Sequence, residues 1–260
     1  MRSIAKTLSS GGIVRVLMLG PLASPKLVEI VALTSNLDGL WFDQEHAAIS
    51  QESIENLLRA CRASGLDAVV RVPPSDYATT MRPLEAGASG MMAAQIRTVT
   101  QVEQIVSWCK YPPLGTRGLF TGNWEARYGD VDLSKYTAAT NADRFTAIQI
   151  ETREALDCVG EISAIPGVDH LFVGTGDLAC ALGVPGQYTD SRCIDALKQV
   201  SKAAAQAGKS WGAQVRDASH AEICRDIGCQ LFSIGSDYMT FRLGLKKIQD
   251  AFSEVFESTS

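Results

Sequence analysis

The chain is poor in the features that would assign it to several large functional classes. It has no C-x-x-C pair, and its seven cysteines (61, 109, 158, 180, 193, 224 and 229) form an odd set that fits neither a zinc knuckle nor a disulfide framework. Most sit beside Ala, Ile or Val in helical patterns, where a thiol behaves as a small hydrophobe, so a reducing, cytoplasmic setting is expected. No apolar run approaches the ~20 residues that span a bilayer. The N-terminal segment (Met1, Arg2, Lys6, then Ile13 to Leu19 broken by Arg15) makes a poor signal peptide. Basic runs and interleaved aromatics are missing, and the net charge is -5, which gives no electrostatic case for nucleic acid. Only three histidines occur, so any imidazole chemistry must fall on His46, His170 or His220. Linkers, low-complexity tracts and internal repeats are lacking too, and residues 1–260 read as one domain.

What is present is a rhythm of short apolar runs. Val14–Leu19, Gly39–Phe42, Ala68–Val72, Gly90–Ala94, Thr146–Ile150, His170–Val173, Trp211–Val215 and Leu231–Ile234 form eight candidate strands. Stretches with 3.6-residue periodicity lie between most of them, such as Ser53–Ala63 and Ile194–Ala207. Continuous apolar strands alternating with amphipathic helices predict parallel β/α units buried on both faces. Eight such units over ~250 residues predict a (β/α)8 TIM barrel, with a doubly wound sheet as the alternative. The one long connection, about Ile96 to Phe145, holds a predicted helix (Val99–Cys109), the loop Tyr111-Pro-Pro-Leu-Gly-Thr-Arg-Gly118 and an irregular polar stretch. Connections of that length are expected to carry function or motion.

The strand ends carry the polar chemistry. Gly39-Leu-Trp-Phe runs straight into Asp43, Gln44, Glu45 and His46; the third strand ends at Arg71, the fourth at Gln95, and the fifth at Glu151 preceded by Gln149. Gly174-Thr-Gly-Asp177 follows the sixth, Gln214 closes the seventh, and Ser236 and Asp237 follow the eighth. In barrel enzymes this rim holds the active site. Glu151 and Asp177 form a candidate metal pair, since two carboxylates with open positions suit Mg²⁺ or Mn²⁺. Taken singly, Asp177 could instead cap a helix beginning near Leu178, and Glu151 could complement a helix dipole. Arg71 offers a planar fork for a substrate carboxylate, or an internal salt bridge. His46, oriented by Asp43 or Glu45, is the histidine placed for proton transfer near neutral pH. His170, at a strand start, and His220, in a late helical pattern, read as structural. No lysine occupies a strand's C-terminal end, which disfavours a Schiff base. Gly174-Thr-Gly-Asp-Leu-Ala179 also fits a G-x-G-x-x-A dinucleotide fingerprint, leaving a nucleotide-dependent oxidoreductase as an alternative.

Asp43-Gln-Glu-His46, Arg71-Val-Pro, Gly87-Ala-Ser-Gly90, the Tyr111–Gly118 loop, Gln149-Ile-Glu151-Thr and Gly167-Val-Asp-His-Leu-Phe-Val-Gly174 with Gly176-Asp-Leu178 together resemble the HpcH/HpaI aldolases, metal-dependent class II pyruvate aldolases of the 2,4-dihydroxyhept-2-ene-1,7-dioate aldolase type. The resemblance covers nearly the whole chain and implies a (β/α)8 barrel. It further implies a divalent ion (Mg²⁺, Mn²⁺ or Co²⁺) on Glu151 and Asp177. Arg71 and Gln149 would bind pyruvate, the backbone at Gly176 and Asp177 would receive its carboxylate, and His46, partnered by Asp43, would shuttle the proton. The expected reaction cleaves a 4-hydroxy-2-oxo acid to pyruvate and an aldehyde, with oxaloacetate decarboxylation available to the same site. The pattern is departed from at Ala93-Ala-Gln-Ile96, at Thr175-Gly176 where Pro-Ala/Ser is usual, at Glu85 where Asp is common, and at Leu119-Phe120 after Arg117-Gly118. Those departures keep open a barrel that only binds a 2-oxo acid. The last helix, about 240–256, carries Phe241, Leu245, Ile248, Phe252 and Val255, which either pack on the barrel or, as the resemblance implies, serve a homo-oligomer such as a hexamer or trimer.

Overall fold

The computed structural model describes residues 3–257; Met1 and Arg2, part of the N-terminal reading, lie outside the described residues. Eight strands form: β1 Val14–Leu19, β2 Gly39–Asp43, β3 Asp67–Val72, β4 Gly90–Ala93, β5 Phe145–Ile150, β6 His170–Val173, β7 Ser210–Gln214 and β8 Leu231–Ser236. Each pairs in parallel with its sequence neighbours, and β8 returns to β1, closing the barrel. That closure removes the doubly wound alternative, because an open sheet with a topological switch point does not exist here.

Strand alternation divides the core in two. Leu40, Phe42, Val70, Val72, Ile148 and Ile150 belong to the outer cluster shared with helix residues such as Ile54, Leu57, Val102 and Ile105. Trp41, Val69, Met92, Ala147 and Phe172 form the separate inner cluster, which fills the barrel. Because side chains alternate with a period of two, the residues two beyond these inner positions, Asp43, Arg71 and Gln149, continue inward at the C-terminal rim. Register completes the placement: Asp43 lies directly opposite Arg71 across the β2–β3 pair. The Trp41 Nε1–H donates to Ser233 Oγ at 2.8 Å, which satisfies the indole inside this floor layer.

Two helices escape a periodicity reading. Ile4–Ser9 closes the opposite end of the barrel, where the Ile4 N–H donates to Asp67 Oδ2 at 2.7 Å. Leu133–Asp143 lies within the stretch expected to be irregular. It buries only Tyr136 and Thr140, so it shows no apolar stripe, and its one local signal is the N-cap Asp132 accepting from Ser134 N. The long connection is pinned rather than loose. Arg117 Nη2 meets Glu125 Oε2 at 2.6 Å with both side chains buried, and Glu125 also accepts from Tyr136 Oη and Arg144 Nε. Among the described residues no helix is long and apolar enough to cross a membrane.

Candidate active site

A cavity of about 270 Å³ opens at the C-terminal rim, lined among others by Trp41, Asp43, His46, Arg71, Gln149, Glu151, Gly176, Asp177 and Arg216. Asp43, His46, Arg71, Gln149, Glu151, Gly176 and Asp177 thus border one space, whereas Glu45, the other acid proposed to orient His46, does not line it. None of residues 110–132 borders it, so the long connection shapes the outside of the barrel rather than this cavity. No lysine lines it either.

Arg71 is the central cation. Its Nε and Nη2 donate to the two oxygens of Asp43 at 3.0 and 2.7 Å, and Nη1 lies 3.0 Å from Glu45 Oε2. The guanidinium also sits 4.9 Å over the Trp41 ring. Burial pushes the Asp43 carboxyl up, but the hydrogen bonds and charge of Arg71 outweigh that and hold it below its ordinary value of 3.8. Arg71 therefore makes the internal salt bridge and still faces the cavity. A guanidinium carries five N–H groups; the hydrogen bonds to Asp43 use two of them, and the contact with Glu45 is an ion pair without a hydrogen bond, so three remain for a ligand oxygen.

The pairing expected for His46 is corrected. Asp43 accepts from the backbone N–H of Glu45 and of His46 and is otherwise committed to Arg71. The acid beside the imidazole is Glu45, with Oε1 3.6 Å from Nε2, and the ring itself is exposed. A strand-end motif places both acids near the histidine, and which one meets the ring depends on side-chain torsions that spacing does not encode. His170 and His220 are buried away from the cavity; His170 Nδ1 pairs with Ser210 Oγ at 2.7 Å, and burial pushes its pKa down to about 3.

Glu151 is 1% exposed, the most buried of the rim acids. Burial raises its pKa to about 7; a hydrogen bond from Gln95 opposes this, while the charges of Glu45 and Asp177 add to it. Oε1 accepts from the Gln95 N–H at 2.8 Å, and Oε2 accepts from Gln149 Nε2. Gln95 reaches that position in the left-handed region at φ 54°, a conformation uncommon without glycine. Glu151 is thus not a helix first-turn acid, since the following helix, Arg153–Asp157, starts from its own cap, Thr152. Asp177 is not an N-cap: it lies inside the first turn of the helix Thr175–Ala181, whose N-cap is Gly174. A Cβ on Gly174 would collide with Glu151 and Gln149, so only glycine lets the turn pass over these side chains.

The donor set suits a hard divalent ion. Among the described residues no three His, Cys, Asp or Glu side chains come together as a ready-made metal cluster. Two carboxylates and the buried Gln149 Oε1, which has no hydrogen-bond partner, nevertheless offer oxygen ligands with positions left for water and substrate. A cation there would relieve the repulsion that Glu45 and Asp177 exert on Glu151.

Sequence reasoning placed Gln95 and Asp237 at this rim without their roles and did not name Arg216. The Gln95 backbone acts through its unusual φ. Asp237 accepts from Gly20 N and Leu22 N at 2.8 and 2.9 Å, tying the loop after β1 to β8. Arg216 enters the cavity from two residues beyond β7.

A closed parallel barrel with acids, an arginine and an imidazole gathered at its C-terminal rim is the framework of a (β/α)8 enzyme, and the comparisons make that enzyme a carbon–carbon lyase. The family model for HpcH/HpaI aldolase/citrate lyase matches residues 15–243, and the chain belongs to that family. The 5-keto-4-deoxy-D-glucarate aldolase of Klebsiella pneumoniae is 31% identical over 233 residues, 90% of either chain. The HpcH/HpaI aldolase of Desulfitobacterium hafniense superposes with a TM-score of 0.88 at 29% identity, covering 96% of this chain and 97% of that one. An HpcH/HpaI aldolase/citrate lyase family protein of Burkholderia cenocepacia superposes with a TM-score of 0.86 at 30% identity, covering 98% and 99%.

Proposed function

We propose that the chain is a divalent-metal-dependent class II aldolase that cleaves a 4-hydroxy-2-oxo acid to pyruvate and an aldehyde, and that decarboxylates oxaloacetate at the same site. The observation that carries this is the burial of Glu151 beside Asp177 and Glu45, which favours a cation at that point. Glu151 and Asp177 would hold the ion, Mg²⁺ or Mn²⁺ by donor chemistry and Co²⁺ as a further candidate, with Gln149 at hand. When bound, such an ion supplies Lewis-acid stabilisation of negative charge on the keto oxygen.

The remaining steps belong to the protein. The N–H groups of Arg71 not hydrogen-bonded to Asp43 bind and orient oxygens of the 2-oxo acid end, and the backbone at Gly176 and Asp177 receives its carboxylate. His46, with Glu45 beside it, removes the proton of the 4-hydroxyl group. As the C4 carbonyl forms, the C3–C4 bond breaks and its electron pair passes into the three-carbon fragment, giving the pyruvate enolate. A proton delivered to C3 then yields pyruvate. Decarboxylation of oxaloacetate leaves the same enolate with CO₂ in place of the aldehyde.

The exposed side chains of Phe241 and Ile248, each 58% accessible, and of Leu245 on the helix Asp237–Glu257 support use of that helix between copies in a homo-oligomer. The test of the activity is a screen of 4-hydroxy-2-oxo acids and oxaloacetate for pyruvate release, run with Mg²⁺, with Mn²⁺ and with EDTA. Metal-dependent release supports the reading. Binding of a 2-oxo acid with no release from any compound replaces it with a barrel that only binds.

A further inference from the structure

Arg216 lines the same cavity as Arg71, yet the two arginines differ in one respect. Arg71 is paired with two acids, whereas among the described residues no acidic side chain forms an ion pair with Arg216. The adjacent Asp217 is engaged elsewhere, capping the next helix by accepting from His220 N at 2.8 Å and from Ser219 Oγ at 3.1 Å. Arg216 is nonetheless held in place. Its Nε donates to Thr175 Oγ1 at 3.2 Å, and its guanidinium lies 4.3 Å from the centroid of the Tyr188 ring. Tyr188 is itself stacked on His220, whose Nδ1 accepts the Arg216 backbone N–H at 3.3 Å. The Thr175 hydroxyl donates to the Gln214 carbonyl at 2.8 Å, which fixes its oxygen as the acceptor for Arg216.

Both residues of the unusual Thr175-Gly176 turn serve this side chain. Threonine supplies a hydroxyl that a proline cannot. A Cβ at position 176 would stand 2.9 Å from Arg216 Nη2, so a larger residue would displace the guanidinium. A side chain braced by stacking and hydrogen bonding, with free donors at a substrate cavity and no anion of its own, is arranged to take its counter-charge from a ligand.

We propose that Arg216 is a specificity-determining residue that receives a second carboxylate, at the end of the substrate remote from the 2-oxo acid group, so that the aldehyde half is anionic. This rests on the aldolase reading above and adds to it the side chain that recognises the far end of the substrate. The test runs the reaction in the synthetic direction, adding pyruvate to size-matched aldehydes with Mg²⁺: glyoxylate against acetaldehyde, and 4-oxobutanoate against butanal. Kd values for pyruvate and for 2-oxoadipate, by calorimetry, form the second readout. Wild type is expected to favour at least one anionic aldehyde over its neutral match, and 2-oxoadipate over pyruvate. Arg216→Gln should lower both preferences by about tenfold or more, the loss of a charge-assisted hydrogen bond, chiefly through KM for the anionic aldehyde. Arg216→Lys should restore part of the preference, and Thr175→Val should weaken it by freeing the guanidinium. Equal losses with charged and neutral partners would make Arg216 structural and overturn the proposal, as would an unchanged preference in Arg216→Gln. If neither 2-oxo acid binds and no aldehyde consumes pyruvate, the aldolase reading fails first and this inference with it.

Discussion

Replacing Glu151 with Gln should make the metal-free protein more stable, by an amount that grows with pH. In the folded chain the Glu151 carboxyl is raised from its ordinary 4.5 to about 7, by burial first and then by the charges of Glu45 and Asp177. A group whose pKa is higher folded than unfolded contributes stability that is fully present below about 4.5 and lost as pH rises through about 7. At about 1.4 kcal/mol per pH unit over that interval, the loss is on the order of 3 kcal/mol as an upper bound. For a chain of this size that corresponds to roughly 6–12 °C in Tm. The amide cannot ionise, its carbonyl oxygen still accepts from Gln95 N, and Gln149 can turn its own amide to match because its Oε1 has no partner. The assay is thermal unfolding across pH 5 to 8 after EDTA treatment. Wild type and Glu151→Gln should melt together near pH 5 and separate by several degrees at pH 8, with the variant higher. Adding Mg²⁺ at pH 8 should then raise wild type alone. A gap that is constant with pH, or that widens towards acid, would refute the reasoning.

Arg71→Ala leaves Asp43 and Glu45 buried without their counter-ion, so a loss of about 3–5 kcal/mol is expected; urea unfolding measures it, and a change below about 1 kcal/mol would show the pair to be dispensable. His46 is exposed and packs little, so His46→Ala should change stability by no more than about 0.5 kcal/mol. Its pyruvate release should nevertheless fall by about 10²–10⁴-fold with the affinity for Mg²⁺ kept, measured by coupled lactate dehydrogenase kinetics and calorimetry. Phe241→Glu with Leu245→Glu should reduce the particle mass in sedimentation without lowering helix content; an unchanged mass would remove the helix Asp237–Glu257 from any subunit contact.

How much of this could be read from the chain follows from which forces leave a local trace. Strands buried on both faces need apolar residues throughout, so all eight were visible as runs ending within one or two residues of the observed limits. Strand ends are equally legible, because an acid or arginine directly after such a run has few uses besides the rim. Asp43, Arg71 and Glu151 follow from that rule. The helix Leu133–Asp143 was hidden because it buries two side chains and so leaves no period. Arg216 was passed over since it stands past the strand, where only the Thr175 and Tyr188 contacts reveal its purpose. The acid facing His46 was undecidable from spacing, as Asp43 and Glu45 both stand just before it and only Arg71 decides between them. The Tyr111–Gly118 segment was distinctive in sequence, but its Arg117 is spent on a buried pair with Glu125 outside the cavity.

The most direct measurement is a Mn²⁺ titration followed by electron paramagnetic resonance, on wild type, Glu151→Gln and Asp177→Ala. One equivalent should bind to wild type, and both variants should bind at least tenfold more weakly, in step with lost pyruvate release. Full-affinity binding in either variant would place the ion elsewhere and contradict the assignment of these two acids.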